Sequence, residues 1–382
     1  MRNVRHIVDT RLPALRLLIA GILLALALAA CGQAIHNMQP TTTPALGASF
    51  AAHTIYVGAD PSSSLGSLVA LNAQTGATRW TFQMGATYTT PVPDNGIVYT
   101  ASQDGYAYAI NMTTGKQVWR FMRPAPVDGY PALANGIVYY TSDIGSVDAL
   151  TASSGAHLWS FQMPNSKDHL YSAPAVARGT VYFGAGGVDN GVYALDAATG
   201  KLRWHTPLSA DAANGDATVV NGLVYVSADD GALYAFDATT GALKWKYKTS
   251  LPLEGGATIA NGVAYVGSED HTLYALDATT GKLLWRYTTG GAISGYGSPT
   301  VANGTVYIGV DDMRLYALDA TTGKLLWTFT ASDMVRSSPA VLNGVVFFAS
   351  HDGSFYALDA AAGKLKWQVS LTGNVEASPV VQ

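Results

Sequence analysis

Eight positions in this chain bring together residue types that could do chemistry. When the sequence is laid out on the residue four places before a recurrent Asn-Gly turn, the anchors are Pro91, Pro131, Pro174, Ala217, Ala257, Pro299, Pro339 and Pro379. Three places before each anchor stand Tyr88, Asp128, Tyr171, Asn214, Glu254, Tyr296, Arg336 and Glu376. Two places before it the residues are all small: Thr89, Gly129, Ser172, Gly215, Gly255, Gly297, Ser337 and Ala377. A chain that repeats itself elsewhere but varies at one column is varying where a site is to be sought. Carboxylate and amide oxygens suit a hard cation, Arg suits an anion or a carbonyl oxygen, and Tyr faces stack. A rim of Tyr and Arg that binds another protein has the same composition. Free drift of solvated rim positions is the third reading.

Other chemistry finds less support. The histidines, His6, His36, His53, His157, His169, His205, His271 and His351, show no metal-ligand spacing, and His271 and His351 fall in hairpin turns. No Gly-x-Ser-x-Gly elbow or phosphate loop is present, so hydrolase and nucleotide readings lack a motif. Asp104, Asp143, Asp189, Asp230, Asp270, Asp312 and Asp352 lie in a second set of turns. Each is ordinary turn chemistry, and together they are expected to make one face acidic.

What must position these residues is a repeat. "LYALDATTGKLLW" occurs twice, at Leu273–Trp285 and Leu315–Trp327. The tryptophans Trp80, Trp119, Trp159, Trp204, Trp245, Trp285, Trp327 and Trp367 are spaced 39, 40, 45, 41, 40, 42 and 40 residues apart. Each closes a version of the same phrase, from "LNAQTGATRW" to "LDAAAGKLKW". Within a period, from Ser298 to Trp327, "SPTVA", "TVYIGV", "RLYALD" and "KLLWTFT" read as strands, separated by "NG", "DDM" and "ATTG" turns. Four antiparallel strands in about 40 residues make one propeller blade, and eight such units close a ring. The expected fold is an all-β, eight-bladed propeller over residues 50–382. One blade cannot bury both its faces, and neighbours meet the same packing problem, which is why near-identical sequence recurs. The variable column precedes the innermost strand, so its eight side chains should ring one mouth of the central channel. After Trp367 the chain spells only the first strand of a ninth unit. Pro379–Gln382 is therefore expected to complete blade one and remove the last open sheet edge.

The "DATTGKLLW" phrase at this period resembles the tryptophan-docking repeat of the quinoprotein-type (PQQ-like) β-propellers. The resemblance covers Ile55–Gln382 and implies that each repeat Trp packs its indole on the next blade near its Thr-Gly turn, a structural role. It also implies two functional branches. One holds dehydrogenases that oxidise alcohols or sugars with pyrroloquinoline quinone and calcium. For that branch the mouth column would supply the calcium oxygens from Asn214, Glu254 and Glu376 and the quinone partner from Arg336. The other branch is non-catalytic and includes BamB-like lipoproteins of outer-membrane protein assembly. This chain has one cysteine, Cys31, hence no adjacent Cys pair to cap a quinone and no Cys-x-x-Cys-His for haem. Its loops are short. The BamB-like branch is the expected one, with no cofactor and no catalytic residue, and the quinone-dependent dehydrogenase is the alternative.

The N-terminal segment fits that branch. Arg2, Arg5, Arg11 and Arg16 precede or open an apolar run, Leu17–Ala30, which ends in Leu28-Ala29-Ala30-Cys31. A basic start, an apolar stretch and small residues before a Cys resemble a bacterial lipoprotein signal over residues 1–30, with Cys31 lipidated. The run is shorter than the roughly 20 residues a spanning helix needs. Residues 31–49, including "QPTTTPALGAS", read as a flexible tether. The whole chain carries a net charge of −4, and most of the signal's charges are cationic, so the propeller is the more acidic part. Such a surface argues against nucleic acid. The expected protein is a single propeller tethered to a bacterial membrane outside the cytoplasm, binding other proteins through its acidic face.

Overall fold

The computed structural model describes residues 53–382 apart from 63–64, 124–129, 166–168, 171, 209–214, 296, 372 and 374. The signal segment, Cys31 and the tether lie outside these residues. The described chain contains no helix and forms eight four-stranded antiparallel sheets. They are the eight blades of a propeller.

Blade seven shows how the sequence builds each one. Its strands are Thr300–Ala302, Thr305–Val310, Arg314–Asp319 and Leu325–Thr330, from the axis outward. The first two are joined by Asn303-Gly304, both at positive φ (49° and 78°), the turn that matches strand twist. The second strand is rich in β-branched residues and the third in Leu and Tyr, and both are almost wholly buried, because another blade covers each of their faces. The outer strand alternates exposed and half-buried residues, as a strand with one wet face does.

Among the described residues the apolar core divides into eight clusters, each shared by two neighbouring blades. The repeat tryptophans organise these seams. In the seam between blades five and six, Trp245 Nε1 donates to Ala278 O (3.1 Å), and Tyr225 Oη donates to the same carbonyl (2.9 Å). The indole lies over Gly281, whose φ is 71° and which has no room for a side chain: a Cβ there would stand 2.6 Å from the ring. Thus the Thr-Gly turn is glycine both for its left-handed backbone and for the indole above it. Blade eight carries Phe347 in place of the tyrosine, and Trp367 alone donates to Ala73 O of blade one (3.2 Å). The ring is closed by that contact and by a strand. Val380–Val381 pairs with Ile55 and Tyr56 as the innermost strand of blade one. Thr54 and Gln382 exchange both backbone hydrogen bonds, at 2.7 and 3.0 Å. The C-terminal residues thereby complete the first blade, as the sequence pattern implies.

Hydroxyls tie the inner strands around the axis. Thr218, Thr258 and Thr300 each donate to the carbonyl of the anchor residue in the next blade, Ala257, Pro299 and Pro339. Ser338 and Ser378 accept the backbone N–H of Ser298 and Ser338 respectively. They define an axial cavity of about 250 Å³ whose wall includes Pro131, Pro174, Pro339 and Pro379 with Val92 and Val176.

Candidate functional site

Three residues of the variable column, Glu254, Arg336 and Glu376, lie near one another. Arg336 is drawn electrostatically to both Glu254 and Glu376. Asp128, Tyr171, Asn214 and Tyr296 lie outside the described residues, and Tyr88 is half-buried with a partner of its own. The small residues two places before the anchors are explained by close approach. A Cβ on Gly297 would meet Arg336 O at 2.3 Å, so neighbouring mouth segments pack backbone to backbone. Ser337 fills the same position with a hydroxyl that donates to Ala349 O (3.0 Å) and accepts the Ala349 N–H (2.9 Å).

A second layer stands behind the column. Arg336 forms a two-pronged pair with Asp311, Nε to Oδ1 at 2.8 Å and Nη2 to Oδ2 at 3.0 Å. Ser294 Oγ donates to the same carboxylate (2.5 Å). Burial alone would raise the Asp311 carboxyl, but Arg336 and Ser294 together hold it below its usual value. The guanidinium is in turn held protonated chiefly by Asp311. Glu254 accepts the Gly295 N–H and stands close to Glu269. Burial, then the neighbouring Glu254, raises the Glu269 carboxyl, and Asp229 and Asp311 add to the effect. Glu376 Oε1 lies 3.2 Å from His351 Nε2, although the pair is not aligned as a hydrogen bond. Asp60 of blade one accepts the Thr87 N–H at 2.8 Å; burial, opposed by that bond and aided by Glu376, pushes its carboxyl up to about 7.

Among the described residues the charge at the mouth is lopsided. Blades five to eight and blade one contribute Asp229, Glu254, Glu269, Asp311, Glu376 and Asp60 against Arg336 and His351. Asp229, Glu269 and Asp311 were not singled out in the sequence, and His351 was read there only as a hairpin-turn residue. Each directly precedes one of the turn aspartates, Asp230, Asp270, Asp312 and Asp352, and that dipeptide was the available signal. The turn aspartates themselves have a different office. Asp104, Asp230, Asp270 and Asp352 each accept the hydroxyl of the Tyr four residues on, at 2.6–2.8 Å, as does Asp312. They are half-buried pegs for the third strand, and the residues before them carry more of the mouth's charge.

Blade three departs from this rule. Asp148 takes the tyrosine's place, 7% exposed, and pairs with Arg123, 5% exposed. Ser160 Oγ hydrogen-bonds to Asp148 and lies 2.7 Å from His157 Nε2. The residue types are those of a hydrolase, but the geometry is not. The single Ser160 proton goes to Asp148, so the hydroxyl turns a lone pair to His157, which then acts as donor and not as base. Both Asp148 and Ser160 meet the same nitrogen of His157, and Asp148 is already paired with Arg123. Arg123 and Asp148 form a buried ion pair, with Ser160 and His157 at its exposed end and the His157 ring stacked on Phe121 (5.6 Å, 7°).

The family profile described as "Outer membrane protein assembly factor BamB" matches overlapping stretches, residues 64–217, 145–255, 192–299, 250–312 and 291–382. The chain belongs to this PQQ-repeat BamB family. Among solved structures, BamB from Moraxella catarrhalis aligns at 18% identity with a TM-score of 0.65, covering 75% of this chain and 89% of that one. A europium-containing methanol dehydrogenase aligns at 18% identity and TM-score 0.67, covering 80% and 81%. At such identities these likenesses show the fold alone. A tetrathionate hydrolase of Acidithiobacillus ferrooxidans is 43% identical over 58 residues, 15% of this chain and 12% of that enzyme. The BamB-family propeller thus has both assembly factors and quinone enzymes as structural neighbours.

The described mouth can be tested against the quinone and calcium that the second group implies. Among the described residues no cluster of three or more His, Asp or Glu is placed to hold a metal ion. The Arg336 guanidinium is already engaged by Asp311, and proline and aliphatic residues make up much of the cavity wall beneath. The described residues do not fit the group.

Proposed function

We propose that this protein is a non-catalytic scaffold, an extracytoplasmic propeller anchored by lipid on Cys31, that docks other proteins on its carboxylate-rich mouth, as a BamB-like assembly factor would. The observation that carries the reading is the Arg336–Asp311 pair. A quinone-binding site needs a cation left free for the ligand, and here the cation is matched by a carboxylate of the neighbouring turn in two-pronged geometry. The lopsided charge favours partners presenting basic groups, steered to blades five to eight and blade one. The family's printed description, an outer membrane protein assembly factor, supports an extracytoplasmic setting. Lipid on Cys31 is checked by the intact mass of the mature protein, which cleavage elsewhere would contradict.

The alternative is a quinone-dependent dehydrogenase using Glu254, Arg336 and Glu376, since these three residues do lie together. Calorimetric titration of the purified protein with pyrroloquinoline quinone and calcium separates the two. No heat of binding is expected. A dissociation constant at or below about a micromolar, roughly −8 kcal/mol, would establish the enzyme reading instead.

A further inference from the structure

On the face opposite the mouth, the seam between blades four and five holds a groove of about 220 Å³ lined by Arg178, Arg203, Tyr182, Val219, Asn221 and Thr239, among others. Arg178 occupies the first position of the inner hairpin turn, at φ 48°. Six other blades place Asn there, Asn95, Asn135, Asn221, Asn261, Asn303 and Asn343, at φ between 46° and 52°. Asn accepts the left-handed region more readily than Arg does, so the turn is not what selects Arg178. The side chain makes no hydrogen bond or ion pair among the described residues, although it lines the groove. Arg203, by contrast, is fixed: Nη2 to Asp196 Oδ2 at 2.7 Å and Nη1 to Thr180 Oγ1 at 2.5 Å. The Asp196 carboxyl is held down to about 2, first by that Arg203 bond and then by Thr199. One carboxylate is therefore matched to one guanidinium, and a second guanidinium is left uncommitted. The rest of the wall is mixed: Ala177, Val219 and Val220 are apolar, Thr180, Asn221 and Thr239 are polar, and the Tyr182 hydroxyl is committed to Ala238 O (3.0 Å).

We infer that this groove is a binding site for a small organic carboxylate carrying an aliphatic group, the carboxylate meeting Arg178 and the aliphatic part lying on Tyr182 and Val219. A planar guanidinium prefers a planar, two-oxygen anion, and the apolar side chains Ala177, Val219 and Val220 beside it favour a ligand with something to bury there. The site is independent of the mouth and of any partner bound there.

The test is calorimetric titration of the intact protein with N-acetyl-leucine, N-acetyl-leucinamide and inorganic phosphate. N-acetyl-leucine should bind with a dissociation constant in the millimolar range or below, about −4 kcal/mol or better. The amide should give no signal, and phosphate should bind more weakly. Arg178→Asn installs the residue that the other hairpins use, so it should fold with an unchanged or higher melting temperature while weakening N-acetyl-leucine by at least about tenfold. An Arg178→Asn protein that binds N-acetyl-leucine as well as the parent does would overturn the assignment. Equal binding of phosphate and N-acetyl-leucine would also overturn it, by reducing the groove to unselective anion attraction.

Discussion

Trp245→Ala should lower the unfolding free energy by about 3–5 kcal/mol, the range for removing a large aromatic from a packed core. Trp245 is 8% exposed and spans the seam between blades five and six. Truncation leaves a void above Gly281, whose positive φ and lack of a side chain exist to admit the ring. It does not strand the carbonyl beneath, because Tyr225 Oη still donates to Ala278 O. Trp245→Phe should accordingly cost much less, about 1 kcal/mol for the lost indole hydrogen bond plus some area. Denaturant midpoints of the two variants give the comparison. Equal, small losses for Ala and Phe would mean that the tryptophans decorate the seams without holding them.

Deleting Ser378–Gln382 should cost more than the removal of five terminal residues ordinarily does. The deletion removes the innermost strand of blade one, the Thr54–Gln382 backbone pair and the Ser378 hydroxyl that receives the Ser338 N–H. It opens the edge at Ile55 and Tyr56, whose side chains are otherwise fully buried. An unpaired inner edge is a template for another chain. The truncated protein should melt well below the parent and elute as oligomers on size-exclusion chromatography. A monomer with the parent's melting temperature would show that blade one stands without its fourth strand and that Trp367 on Gly76 closes the ring unaided.

The architecture was legible because every layer of the sequence repeats in phase. The Asn-Gly turns, the buried middle strands and the docking tryptophans recur near 40 residues, and the unmatched last strand at Val380 points to its place in blade one. The mouth was legible only in part. Glu254, Arg336 and Glu376 stood out as breaks in a regular column, and they do face one another. Asp311, Glu269, Asp229 and His351 did not stand out, because polar residues in tight turns are the norm there and need no further reason. Their importance comes from contact between blades: Arg336 reaches back to Asp311, 25 residues earlier in the sequence, across a seam that alignment of single blades does not represent. Asp60 was hidden for a related cause, since blade one joins its inner strand from the other end of the chain. Asp148 replaces the tyrosine that pegs the third strand in five other blades, and its partner Arg123 comes from the end of the preceding blade. An alignment can show the substitution but not the pair that makes it tolerable.

The central claim is that the mouth receives a protein. Site-specific photo-crosslinking on the native membrane addresses it most directly, with a benzoylphenylalanine at Tyr88 or Glu376 on the mouth and at Lys324 on the opposite face as control. The account predicts a discrete protein adduct from the two mouth positions, lost when Glu254 and Glu376 are reversed in charge, and none from Lys324. Adducts from Lys324 alone, or mouth positions that give none on the native membrane, would contradict it.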